Sequence, residues 1–261
     1  ANGGWPQFWP EMHGYQTDIT YNDNAMVNTL ELFRKLIEQE TPYDNNLIDQ
    51  TLRNKIKVAF GKGIKCILNT QIIVNKEPTV WCQQYDRETL KPASARAFEL
   101  ASFCSQESAS IVKLLMQLPN PDKRIKHAIR GAMKWFDTYK LTGLRIERTG
   151  DRDGERNVRL IADSKATPIW ARYYDFTFCE PFVCDRDGIP RRKLEEIGVE
   201  RRTGYAWYGT HATELYPLYE AWANKYDKNN KLNISLNTKG ANENGRIQMD
   251  RKAIINKKLF D

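Results

Sequence analysis

The sequence predicts a mainly α chain, an α/α array of amphipathic helices that carries its function in the loops. Three observations predict it. Apolar residues recur at helical spacing in four stretches between residues 25 and 139. The segments joining them are long and rich in Trp, Tyr, Pro and Gly. The one stretch of strand-like alternation is a short charged hairpin within 144–161.

Composition bounds the rest. The chain of 261 residues is long enough for a substantial core, as one large domain or two small ones. Its 41% hydrophobic and 28% charged residues read as a soluble globular protein. No apolar run approaches a membrane span, and nothing at the N-terminus reads as a signal peptide, although a mature form with its leader removed fits both facts. A net charge of +7 favours an anionic partner, nucleic acid or acidic polysaccharide, without separating the two. The five cysteines show no metal-ligand spacing. Cys179 and Cys184 are close enough to pair across a turn, or are free buried thiols.

Residues 1–24 are aromatic and irregular, and Pro6 and Pro10 make them a loop folded over the core. The loop ends in Asn22-Asp23-Asn24, just before a helix with Met26, Leu30, Phe33 and Ile37 on one face. Such residues cap helices. Three consecutive oxygen-bearing side chains exceed what a cap needs, and also suit a hard cation. A second helix is expected over about 46–72, with Leu52, Ile56, Phe60, Ile64 and Ile67 in phase and Gly61 and Gly63 letting a neighbour approach. Pro92 is suited to a first helical position, so a third helix is expected from there to about Leu118. Arg96 then lies in its first turn, at the positive end of the helix dipole, where a cation is disfavoured. An arginine there either reaches for an anion or is kept ready to lose a proton. A fourth helix runs from Asp122 to about Tyr139.

The hairpin surrounds TGDRDGERN, whose Asp-Gly is a turn signal, and it reads as structural. Three loops follow, PIWARYYD, FVCDRDG and VERRTGYAWYG, each with an Arg beside an aromatic. Taken singly, Arg172, Arg186, Arg201 and Arg202 read as surface salt bridges. Together with Trp170, Tyr173, Tyr205 and Trp207 they describe a cleft for sugars bearing carboxylates, which Arg grips bidentately. Trp81 and Tyr85, in the loop before Arg96, are placed at the same cleft. A last helix is expected over about 211–226, and residues 227–261 form a polar extension, partly extended or mobile. Asn233-Ile-Ser235 is a glycosylation sequon by pattern alone.

PQFWP, GYQTDITYNDNAM, VWCQQYD, KPASARAFELAS, WARYYD, DRDG and ERRTGYAW, in this order, resemble the pectate lyases of polysaccharide lyase family 10. The likeness covers about residues 3–226, leaving 149–157 and the extension outside it. It implies a helical toroid of α/α type with a cleft across its top, cleavage of polygalacturonate by calcium-assisted anti-β-elimination, and a monomer that is secreted, periplasmic or at the cell surface. It places Arg96 on the family's catalytic base and Asp23, with Asn24 beside it, on the calcium and substrate site. Arg172 and Arg186 fall on arginines that bind substrate carboxylates, and Arg202 and Tyr205 on the cleft lining. For Arg96 to be a base, Glu99 and Glu107 have to point away from it. Two departures stand out. Family members carry a further N-terminal helical region whose IDN motif supplies a calcium-binding Asp that has no counterpart here, so the toroid is expected in truncated form. Met12 also stands where Lys occurs in the family. A lyase and a non-catalytic polyuronate binder are therefore both expected readings. An inverting glycosidase using Asp23 and Asp86 has no supporting spacing, and nucleic acid rests on net charge alone.

Overall fold

The computed structural model describes residues 2–10, 12–45, 47–150 and 155–237. Six α-helices dominate it: α1 (Ala25–Glu38), α2 (Gln50–Thr70), α3 (Ser105–Gln117), α4 (Lys123–Tyr139), the short α5 (Val199–Thr203) and α6 (Leu215–Tyr226). α2 and α4 begin where the sequence puts an Asp cap. Asp49 accepts from the Leu52 amide at 2.7 Å and Asp122 from the Ile125 amide at 2.8 Å. α3 is the central helix, with Ile111, Val112, Leu114 and Leu115 all fully buried. It packs against α1, α4 and α6, while α2 lies against α1 and α4. Gly63 makes the α1–α2 contact possible. A Cβ there would stand 2.6 Å from Leu30 and 2.8 Å from the Trp5 ring. Gly131 does the same for α4, where a Cβ would lie 2.2 Å from the Pro78 carbonyl oxygen.

Short antiparallel strands hold the loops over this helical layer. The largest sheet has four: Pro190–Arg191, Pro181–Cys184, Tyr173–Tyr174 and Phe103–Cys104, in that order. Ile19–Thr20 pairs with Gln84–Tyr85, and Trp170–Ala171 with Tyr208–Gly209. The expected hairpin is present, in register from Leu144 opposite Ala162 to Thr149 opposite Asn157. Its turn, 151–154, lies outside the described residues.

The expected third helix is corrected. Residues 92–104 are not helical, and α3 starts only at Ser105. Pro92 forms an isolated bridge with Tyr85, and the Ala93 amide donates to the Gln84 carbonyl at 2.9 Å. The backbone donors a helix would use are committed to this loop, so Arg96 has no helix dipole behind it. Of the two readings of Cys179 and Cys184, free buried thiols is the one the structure bears out, as for all five cysteines. Past α6, residues 231–237 dock rather than hang free: Leu232, Ile234 and Leu236 pack on the core, and the Lys140 ammonium donates to the Ser235 carbonyl at 2.6 Å. Residues 238–261 lie outside the described part. Among the described residues no helix is long and apolar enough to cross a membrane.

Candidate active site

Asn22-Asp23-Asn24 forms a 3-10 turn directly before α1. Asp23 and Asn24 both take left-handed backbone angles, with φ of 52° and 58°. Two successive left-handed residues other than Gly cost energy, and such strain gathers at working sites. Asn24 makes no side-chain capping bond, so the capping reading of this motif is not what the fold uses. The side chains diverge: Asn22 is buried, while Asp23 remains 58% exposed.

Asn22 faces two arginine–glutamate pairs. Its Nδ2 donates to Glu99 at 3.3 Å and its Oδ1 accepts from Arg172 at 2.8 Å, so the amide dipole is aligned between an anion and a cation. In the first pair Arg96 donates through Nε at 2.7 Å and through Nη2 at 2.5 Å to the two oxygens of Glu99. Glu99 is fully buried and Arg96 is 42% exposed. The Tyr205 hydroxyl also donates to Glu99, at 2.7 Å. Burial pushes the Glu99 carboxyl up, but the donors from Arg96 and Tyr205 outweigh it and hold it below its ordinary range. Glu99 in turn raises Arg96, with a smaller contribution from Asp23.

In the second pair Arg172 Nη2 bonds Glu107, and both side chains are almost wholly buried. Burial works against the Arg172 cation, yet its attraction to Glu107 leaves it raised. The guanidinium also lies 4.6 Å from the centre of the Tyr205 ring, a cation–π arrangement. Its Nη2 approaches the Asp23 carboxylate at 3.8 Å. At the rim, Arg186 is exposed and bonds Glu200 through Nε and Nη2 at 3.2 and 3.1 Å. Arg96 is close enough to repel the Arg186 cation. Half-exposed Arg96 thus lies within electrostatic reach of both exposed Asp23 and exposed Arg186, with buried ion pairs behind this exposed cluster.

The pectic acid lyase family model matches residues 1–216 of this chain. The chain belongs to that family. Its structure is similar to that of the family 10 polysaccharide lyase from Cellvibrio cellulosa, with a TM-score of 0.77 and 30% identity over 85% of this chain and 68% of that one. It is equally similar to an aspartate-to-alanine mutant of that lyase in complex with trigalacturonic acid, with a TM-score of 0.76 and 30% identity over 87% of this chain and 68% of that one. No curated protein matches the chain in sequence.

Several residues assigned to the pectic acid lyase cleft from sequence are placed elsewhere. Trp81 and Tyr85 are core residues: the Trp81 indole donates to the Ile67 carbonyl at 2.7 Å, and the Tyr85 hydroxyl accepts from the Cys82 amide at 2.7 Å. Trp170, Tyr173 and Trp207 are buried as well. Tyr205 is the aromatic of that set left partly exposed. Arg202 spends Nη1 on the Leu194 and Ile197 carbonyls, at 3.4 and 3.1 Å, and ties the loop before α5. Arg172, 4% exposed, supports Asn22 and Asp23 from behind instead of standing in the cleft. Asp86 is spent on its own turn, accepting from the Thr89 amide at 2.6 Å. Most consequentially, Glu99 does not point away from Arg96 but is its partner, while Glu107 pairs with Arg172 instead. The roles of Asn22 and Glu99 were missed, although Glu99 stands three residues from Arg96.

Calcium takes six to eight oxygen ligands. Asp23 offers an exposed carboxylate and Asn24 an amide beside it, but no group of three or more Asp, Glu, His or Cys that could hold a metal exists among the described residues. Among the described residues Asp23 and Asn24 are two neighbouring oxygen donors, fewer than a calcium cage needs.

Proposed function

We propose that this chain cleaves polygalacturonate by anti-β-elimination at the exposed cluster of Asp23, Arg96 and Arg186. Family membership supports the reaction class. The observation that carries the assignment is the exposed cluster, two accessible cations and one accessible carboxylate backed by buried ion pairs. A polyuronate presents a carboxylate on every sugar, and planar guanidinium groups grip carboxylates in a fixed geometry. Trigalacturonic acid bound to the Cellvibrio lyase mutant supports that ligand class. The helices are read as part of an α/α toroid, the protein as a monomer acting outside the cell where the polymer lies.

In this reading Arg186 exchanges its Glu200 partner for a substrate carboxylate, a small cost because that pair is exposed. Asp23, with Asn24 beside it, would hold calcium, and that ion would supply the charge withdrawal that makes the C5 proton acidic. Arg96 takes that proton. The C5–H electron pair becomes the C4–C5 double bond, the C4–O bond breaks, and the departing oxygen is protonated by water. Arg96 has to be neutral to do this, and the ionised Glu99 opposes that state, so the reaction is expected to favour alkaline pH.

The same pair favours a second reading, a polyuronate binder that performs no elimination. Arg96 held protonated by Glu99 is well suited to binding a carboxylate and poorly suited to removing a proton. One experiment separates them. The chain is incubated with polygalacturonate and calcium while the ultraviolet absorbance of the unsaturated product is followed, and trigalacturonate binding is measured by calorimetry. Calcium-dependent absorbance that is lost in Arg96→Lys supports the lyase. Binding without product supports the binder, and neither signal removes both.

A further inference from the structure

We propose that Glu99 is the positioning residue of this site: its buried carboxylate docks the Arg96 guanidinium through Nε and Nη2, so that Nη1 is the nitrogen turned to the substrate. The inference rests on Arg96 being the group that meets the polyuronate.

The pair is asymmetric in a way an ordinary helix-surface salt bridge is not. Glu99 has no exposure, while its partner reaches out 42% exposed, so one member is an anchor and the other an arm. The anchor is itself fixed from separate segments. Asn22 donates to it from the turn before α1, and Tyr205 from the loop after α5. Locally, the backbone closes on itself: the Glu99 amide donates to the Arg96 carbonyl at 2.7 Å and the Ala95 amide to the Glu99 carbonyl at 3.0 Å. The Arg96 amide meets the Glu99 carboxylate at 3.2 Å, and Gln83 Nε2 holds the Glu99 carbonyl at 3.1 Å. The Phe98 ring lies 5.0 Å from the guanidinium carbon, which supports its face. A free arginine side chain carries about 2 kcal/mol of rotamer entropy. Docking two of its three nitrogens removes that freedom before substrate arrives, which is what positioning contributes to a rate. Nη1 stays outside the pair, and so the docking decides which nitrogen is presented.

The test uses the full chain. In Glu99→Gln the shape is kept and the charge removed. Its kcat on polygalacturonate is expected to fall about a hundredfold, the scale of a misplaced catalytic group, the lost docking outweighing the easier deprotonation of Arg96 once the Glu99 charge is gone. KM is expected to stay within about threefold, because uniform substrate binding is untouched. In case that variant does not fold, Arg96→Ala is titrated calorimetrically with methylguanidinium and with neutral methylurea. Methylguanidinium is expected to bind saturably beside Glu99 in Arg96→Ala and not in the wild-type chain, where Arg96 fills the place, and methylurea to bind neither. The proposal is overturned by a folded Glu99→Gln with kcat unchanged or raised, by equal methylguanidinium binding to both chains, or by none to Arg96→Ala. Should the wild-type chain form no product while Arg96→Ala alone takes up methylguanidinium, the docking stands and the lyase reading falls.

Discussion

Arg172 and Glu107 form an ion pair in which the arginine is 4% and the glutamate 1% exposed, within reach of the turn that carries Asp23. The Cys104 thiol donates to the second Glu107 oxygen at 2.5 Å, and Asn22 accepts from the same arginine. Removing one member leaves the other charged and buried, which costs about 3–5 kcal/mol. Glu107→Gln is therefore expected to lower Tm by on the order of 10 °C. The double change Arg172→Met with Glu107→Leu, which removes both charges, is expected to be milder than Glu107→Gln alone. Thermal melts of the three chains check this, and a double change as damaging as the single one would show that the charges are not the cause.

Asp23 is expected to behave in the opposite way. Its side chain is exposed and its backbone left-handed, a conformation that Asn tolerates equally. Asp23→Asn should leave stability within about 0.5 kcal/mol. If the carboxylate is a calcium and substrate contact, the same change should cost at least about tenfold in calcium-dependent product formation, one lost charged ligand. Urea titration and the absorbance assay, run on the same preparation, read the two quantities separately.

The fate of individual residues shows what the sequence made legible. α1, α2 and α4 are readable because Met26, Leu30, Ile56, Ile64, Ile129 and Phe136 keep helical spacing and because Asp122 announces the start of α4, whereas α2 starts at Gln50, behind its Asp49 cap, instead of near 46. α3 is shorter than the sequence predicts because Pro92 carries a helix-start signal that the bridge to Tyr85 overrides. An aromatic beside an arginine reads alike whether it faces a cleft or a core. What decides the matter for Trp81 is the Ile67 carbonyl that satisfies its indole, a partner 14 residues away. Arg172 and Glu107 meet across 65 residues, and Arg172 and Asn22 across 150, so no local pattern could reveal that Arg172 was already partnered.

Arg186 tests the rim. Its pair with Glu200 is exposed on both sides and contributes little to stability. Arg186→Ala should leave Tm unchanged within a degree or two, since an exposed pair is worth less than about 1 kcal/mol. As a contact made equally to substrate and transition state, it should raise KM for polygalacturonate with kcat retained. Steady-state kinetics against polymer concentration decides it, and a fall in kcat at unchanged KM would place Arg186 in the chemical step instead.

His211 gives a pH dependence whose sign can be worked out. The Ser105 hydroxyl donates to the Ala171 carbonyl at 2.5 Å, which leaves His211 Nε2 to donate to that hydroxyl at 2.8 Å, as a neutral imidazole does. Burial, and then the Arg172 cation, lower the imidazole from its ordinary 6.5 to about 4. The unfolded chain therefore binds a proton near pH 6.5 that the folded chain refuses until about pH 4. The stability owed to neutral His211 is fully present above pH 6.5 and is lost as pH falls from there toward 4. At one unit per 1.36 kcal/mol the loss amounts to about 3 kcal/mol. Urea midpoints measured between pH 7 and 4 should fall more steeply for the wild-type chain than for His211→Gln, which keeps a donor for Ser105 and takes up no proton. Parallel curves for the two chains would mean that His211 does not titrate differently in the folded and unfolded states.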